Sequence, residues 1–279
     1  MRELNNRLSS PVSLLLIALM MLGCLFACQP ESKSYTSNNP EVIQLNEKGI
    51  QLYEQGAYDK AVLNFDKALA IEPDNVAILF NKAQALDAMQ RYEQAIESYD
   101  RAIAIDPSFS YVWAGKGLAY YNQDKYDMAL ECLDKAISID GNNSVAYSTK
   151  GLVYIAQQKY EEAVATYEKA TKLDPQNAEL WTRKSYAEMK SARYEDALRS
   201  ADKAISLNKD NELAWGYKAR ALHELRRYEE ALVAFDKALG LAPENPALWY
   251  SKGLTLETLK RDDEARRCYD KARAYGYTF

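Results

Sequence analysis

The chain has 279 residues with 35 basic and 40 acidic side chains, a formal net charge of -5, and no domain-sized basic patch that would suit a nucleic acid. One histidine and four cysteines give no Cys/His zinc spacing, and no nucleophile triad, glycine-rich phosphate loop or paired-carboxylate constellation can be placed. The expectation is a non-enzymatic protein that needs no metal or cofactor.

The amino terminus opens with Arg2 and Arg7 ahead of an apolar run from Val12 to Phe26, interrupted only by Ser13 and Gly23. The run is too short for a comfortable membrane span and ends Leu25-Phe26-Ala27-Cys28, which describes an export signal over residues 1–27. Leucine three residues before the cysteine and alanine directly before it resemble the lipobox of bacterial lipoproteins. That resemblance implies cleavage ahead of Cys28 and lipid on that residue, with Met21-Leu22-Gly23-Cys24 as a second match that would use Cys24. An uncleaved signal anchor is the third reading. Residues 28–41 form a polar linker rich in Ser, Asn and Pro, a tether of at most about 45 Å. Lipid there would hold the rest of the chain at a membrane of the cell envelope, and Gln29 fits the outer membrane if the host is Gram-negative.

From Val42 to Phe279 the chain divides without insertion or deletion into seven 34-residue units: 42–75, 76–109, 110–143, 144–177, 178–211, 212–245 and 246–279. A unit this small holds no core of its own and is stable only on its neighbours. The fourth residue is bulky in each (Leu45, Leu79, Trp113, Tyr147, Trp181, Trp215, Trp249) and the eighth is small (Gly49, Ala83, Gly117, Gly151, Ser185, Ala219, Gly253), which reads as knob and socket. Alanine columns run from Ala61 and Ala68, with a mostly aromatic column between them from Phe65 to Tyr269. Pro73, Pro107, Pro175 and Pro243 end helices, and Asn75, Asn143, Asn177, Asn211 and Asn245 are placed as N-caps of the next.

These columns resemble the tetratricopeptide repeat. The resemblance implies an all-α fold, two antiparallel helices per unit wound into a right-handed superhelical α-solenoid. Gly141, Lys209 and Tyr277 depart from the closing proline, Glu188 interrupts an apolar column, and Ala201 leaves the aromatic one.

On each first helix, the arc with the third and tenth residues is apolar or small in later units (Ile78 and Ala85, Val112 and Ala119) but carries Gln44 and Gln51 in the first, so it faces the preceding unit. The mirror pattern at the other end, Arg266 and Arg273 in place of apolar residues, reads as an array complete at seven units. A lysine column at the seventh residue faces an acidic column on second helices. Ion pairs across unit boundaries are expected: Lys82–Asp66, Lys116–Asp100, Lys150–Asp134, Lys184–Glu168, Lys218–Asp202 and Lys252–Asp236.

The remaining arc of the first helices lines, in proteins of this kind, a concave groove that holds peptides or partner helices. Here it carries Tyr111, Leu118, Tyr121, Val145, Leu152, Ile155, Tyr186 and Met189, then Tyr217 and Tyr250, and the expectation is an exposed apolar wall. The functional reading is a membrane-tethered scaffold or adaptor that takes a partner protein or peptide in this groove. An assembly factor of an envelope complex, pilus secretin or outer-membrane machinery, is one alternative; a reader of anions or glycans, using the lysines or the tyrosines, is another. Cys132 and Cys268 are expected to be helix residues without special chemistry, and His223 a solvated residue on the groove arc.

Overall fold

The computed structural model describes residues 37–278. The stretch read as an export signal, Cys24, Cys28 and most of the expected linker lie outside the described residues. Among the described residues there are fourteen α-helices in tandem pairs and no strands. In chain order they are α1 Pro40–Glu54, α2 Tyr58–Ile71, α3 Val76–Ala88, α4 Tyr92–Ile105, α5 Ser110–Asn122, α6 Tyr126–Ile139 and α7 Ser144–Ala156. They continue with α8 Tyr160–Leu173, α9 Ala178–Lys190, α10 Tyr194–Leu207, α11 Glu212–Glu224, α12 Tyr228–Leu241, α13 Pro246–Thr258 and α14 Asp262–Ala274. The chain forms an amino-terminal unit ending at Val153 and a carboxy-terminal unit beginning at Tyr154, so the division falls inside α7. No helix among the described residues is long and apolar enough to cross a membrane.

Each hairpin is closed by a residue in the left-handed region, followed by an N–H that reaches back to a carbonyl near the end of the first helix. In the first hairpin Gly56 has φ 74° and the Ala57 N–H donates to the Leu52 carbonyl at 2.8 Å. The equivalent residues Gln90, Asp124, Gln158, Ala192, Arg226 and Lys260 adopt φ of 58–60° without being glycine. The first helices start on the expected caps: Asn75 Oδ1 accepts from the Ile78 N–H at 3.2 Å and Asn143 Oδ1 from the Ala146 N–H at 2.9 Å. Two caps also tie one hairpin to the next, because Asn143 Nδ2 donates to Ser110 Oγ at 3.0 Å and Asn211 Nδ2 to Thr182 Oγ1 at 2.8 Å.

The small eighth residue is indeed a socket, but its occupant is not the bulky fourth residue. A Cβ on Gly117 would lie 2.8 Å from Leu133 Cγ, and one on Gly253 would lie 2.5 Å from Tyr269 Cε1, so the residue of the aromatic column on the same hairpin's second helix fills the space. The fourth residue, where it is tryptophan, instead clamps the preceding loop. The indole N–H donates to the carbonyl of Pro107 from Trp113 (3.0 Å), of Pro175 from Trp181 (3.0 Å), of Lys209 from Trp215 (2.9 Å) and of Pro243 from Trp249 (2.8 Å). Lysines at the seventh position place their ammonium groups 5.3–6.0 Å from these ring centres, as Lys184 does on Trp181 and Lys116 on Trp113, and Lys271 lies 4.0 Å from that of Trp249.

Between hairpins, Ile78, Ala85, Val112 and Ala119 are buried, as a helix face pressed on the preceding pair requires, whereas Gln44, Gln51, Arg266 and Arg273 are exposed. Burying a side chain such as Ile78 stabilises the stack by about 1.5–3 kcal/mol. Ion pairs form at Lys82–Asp66 (2.7 Å), Lys116–Asp100 (2.5 Å), Lys150–Asp134, Lys218–Asp202 (2.7 Å) and Lys252–Asp236 (2.5 Å). The expected Lys184–Glu168 pair is absent. Lys184 turns to Glu188 at 3.5 Å, and Glu168 lies 3.8 Å from Arg193.

Candidate partner-binding face of the first helices

In the amino-terminal unit, Leu118, Val145 and Leu152 are buried members of one continuous core, and Tyr111 and Tyr121 pack half-buried against it. In the carboxy-terminal unit, Ile155, Tyr186 and Tyr217 are buried, while Met189 and Tyr250 are half-buried. The expected bare wall is therefore corrected at Leu118, Val145, Leu152, Ile155, Tyr186 and Tyr217, which have already left water. The physical reason is plain for the tyrosine pair: the Tyr186 and Tyr217 rings pack on each other with centres 5.4 Å apart, and apolar area gains more from such contact than from hydration. Tyr111, Tyr121, Met189 and Tyr250 keep part of their surface exposed.

The same arc is polar on α3 and mixed on α1, which carries Ile50 together with Asn46 and Tyr53. Asn81 Nδ2 on α3 donates to Asn46 Oδ1 on α1 at 3.0 Å. One and two helical turns further along α3 come Gln84 and Asp87, on the same face by their spacing. Gln84 is 3% exposed, and neither its amide nitrogen nor its amide oxygen has a hydrogen-bond partner. Asp87 accepts from the Tyr99 hydroxyl at 2.9 Å through Oδ2, while its enclosed Oδ1 has no partner. Burial pushes the Asp87 carboxyl up to about 8, against the opposing effect of the Tyr99 hydrogen bond. Tyr53 from α1, buried with an unpaired hydroxyl, is raised well above the usual tyrosine range by burial and by the charges of Tyr58 and Asp87. Sequence reasoning missed Gln84, Asp87 and Tyr53. Their signal was available: the ninth and twelfth residues of unit 76–109 are polar where the next two units carry Leu118 and Tyr121, then Leu152 and Ile155.

In the carboxy-terminal unit the arc carries charge. Arg183, 1% exposed, pairs with Glu179 at 2.8 Å, and the Lys190 ammonium lies 5.7 Å from the Tyr186 ring centre. Burial, then the charge of Arg220, lowers the Lys190 pKa. His223 is half-buried, not solvated, with Nδ1 3.0 Å from Thr255 Oγ1 and its ring against Tyr228.

Models of the tetratricopeptide repeat match residues 52–119, 110–143, 182–246 and 219–277, and a TPR repeat model matches 151–183. The chain is a tetratricopeptide-repeat protein. Its fold is similar to that of solved members of this family at low sequence identity. A tetratricopeptide repeat protein from Parabacteroides merdae is 18% identical with a TM-score of 0.60, covering 86% of this chain and 95% of that one. YrrB, described as a TPR protein with an unusual peptide-binding site, is 23% identical with a TM-score of 0.58, covering 65% of this chain and 93% of its own. TTC0263, a thermophilic TPR protein from Thermus thermophilus, is 21% identical with a TM-score of 0.56, covering 65% and 99%. No curated protein matches the sequence significantly.

Within this tetratricopeptide-repeat chain, Cys132 and Cys268 are free and buried, and burial pushes the Cys132 thiol up to about 11, which makes it a poor nucleophile. Among the described residues no group of His, Cys, Asp and Glu is arranged to hold a metal ion.

Proposed function

We propose that this protein is a non-enzymatic adaptor of seven repeats, tethered to an envelope membrane by lipid on Cys28, that holds a segment of a partner protein against its first helices. The observation that carries the reading is unspent hydrogen-bonding capacity on a preformed helix face: both ends of the buried Gln84 amide are unpaired, on the arc of the first helices that also carries the half-buried tyrosines Tyr111 and Tyr121. A rigid face of this kind is already ordered before the partner arrives, so association costs little conformational entropy. The peptide-binding site named for YrrB lends the same reading to this chain by analogy of fold. An assembly factor of an envelope machine is the same adaptor with a particular partner. The anion-track alternative is weakened because five lysines of the column are already neutralised by carboxylates.

A photo-crosslinker placed in cells at Tyr111 or Tyr121 is expected to give one defined adduct, and the same group at the exposed second-helix residues Leu63 and Val233 none. The opposite pattern would move the docking surface to the second helices and end the proposal. Palmitate labelling lost in Cys28→Ser supports the tether; labelling lost only in Cys24→Ser shifts it, and labelling in neither wild type nor variant removes it.

A further inference from the structure

Five enclosed polar atoms without a hydrogen-bond partner share the arc of α1 and α3: Tyr53 Oη, Asn81 Oδ1, Gln84 Nε2 and Oε1, and Asp87 Oδ1. Folded proteins pair nearly all such atoms, so a cluster on one face asks for a missing partner. All but the Gln84 nitrogen can accept a hydrogen bond. No cation is paired with Asp87 among the described residues, and the chain as a whole is acidic. Three tyrosines surround the carboxylate closely enough to interact with its charge: Tyr53 from α1, and Tyr92 and Tyr99 from α4. Asp87 and Tyr92 are half-buried, so the cluster reaches the surface beside them.

We propose that this cluster receives the ammonium group of a lysine side chain carried by a partner segment, with Asp87 as counter-charge and Gln84 Oε1 and Tyr53 Oη as further acceptors. The inference rests on the adaptor reading for its source of lysine. An ammonium brings three N–H donors and no acceptor, on a slim aliphatic stem, whereas a guanidinium is planar and needs a broader fork of acceptors. Aromatic faces favour the cation further. The groups facing Asp87 are Tyr99 and Tyr92 on α4 and Tyr53 on α1, with Tyr58 on α2 acting on Tyr53. An incoming cation therefore meets a carboxyl whose ionised form burial disfavours, and its binding is linked to release of a proton.

The test is calorimetry on the full chain with a blocked alanine peptide bearing one lysine, the same peptide with that lysine acetylated, and n-butylammonium. The lysine peptide is expected to bind about tenfold more tightly per pH unit up to about pH 8, then level off, because only ionised Asp87 forms the pair. The acetylated peptide is expected not to bind, and Asp87→Asn to lose the pH slope and most of the affinity while still melting cooperatively. Affinity that is flat between pH 6 and 8, equal binding of the acetylated peptide, or undiminished binding by Asp87→Asn overturns the proposal. Binding of n-butylammonium without the peptide also overturns it, since the cluster would then take an amine but no polypeptide. Loss of the Tyr121 cross-link with the lysine site intact would instead count against the adaptor reading.

Discussion

The Lys184 ammonium lies 3.5 Å from the Glu188 carboxylate on its own helix, α9, and not against Glu168 on α8, where the lysine column directs it. The same hairpin departs from the repeat at three positions. Ala201 stands where an aromatic residue or leucine fills the socket elsewhere, Ser185 in that socket donates to the Ala197 carbonyl at 2.8 Å, and Glu188 is 1% exposed in a column that otherwise carries leucine or tyrosine. Burial holds the Glu188 carboxyl above the usual carboxylate range, with its hydrogen bond to Ser200 and the charge of Lys184 opposing.

Glu188→Leu removes a buried carboxylate and leaves Lys184 to reach Glu168 as the other column lysines reach their acids, so it is expected to be neutral or to stabilise by no more than about 1 kcal/mol. A folded pKa above the unfolded one means the contribution is complete below the unfolded value and is lost as pH rises through the folded one. The variant's gain in melting temperature over the wild type should accordingly be larger at pH 7 than at pH 4. A gain that shrinks with rising pH would contradict the assignment.

Asp87 obeys the same sign on a wider scale. With its carboxyl raised to about 8, stability is lost as pH climbs from about 4 to 8, because the unfolded chain ionises this group first. Asp87→Asn keeps an acceptor for the Tyr99 hydroxyl and removes the titration. Urea melts at pH 5 and 8.5 should show a smaller fall in stability for the variant than for the wild type.

Six hairpins close on a non-glycine residue at positive φ, which costs about 1 kcal/mol each. Ala192→Gly is expected to stabilise by up to that amount, and Gly56→Ala, at φ 74°, to destabilise by a similar one. Chemical denaturation of the two variants checks the pair, and the opposite signs make a common artefact easy to recognise.

Gly117 meets Leu133 with no room for a methyl group. Gly117→Ala is expected to cost about 1–3 kcal/mol by overpacking. Combined with Leu133→Ala, the two losses should add to less than their sum, since the second change empties the space the first one needs. Strict additivity in a double-mutant cycle would refute the socket.

The paired lysines contribute less than their regularity suggests. The Lys116 side chain is 15% exposed but its partner Asp100 is 52% exposed, so water screens the pair. Lys116→Met should cost no more than about 1 kcal/mol, with the difference shrinking at 1 M salt.

The amino-acid order by itself determined the helical hairpins, their caps at Asn75 and Asn143, the apolar faces between hairpins and the partners of five lysines. Each of these is repeated along the chain, and a local rule applied at a fixed spacing reads it. Only the tertiary structure decided which apolar residues of the first helices remain at the surface. Leu118 and Tyr121 sit one helical turn apart on one arc, yet Leu118 is buried and Tyr121 half-buried, because exposure depends on how closely other elements approach and not on the helical angle alone. The structure likewise decided that Gln84 and Asp87 are enclosed with unpaired atoms, and that Glu188 draws Lys184 aside. Those outcomes turn on packing against side chains distant in sequence, and a repeating pattern carries no information about its own exceptions until they are packed together.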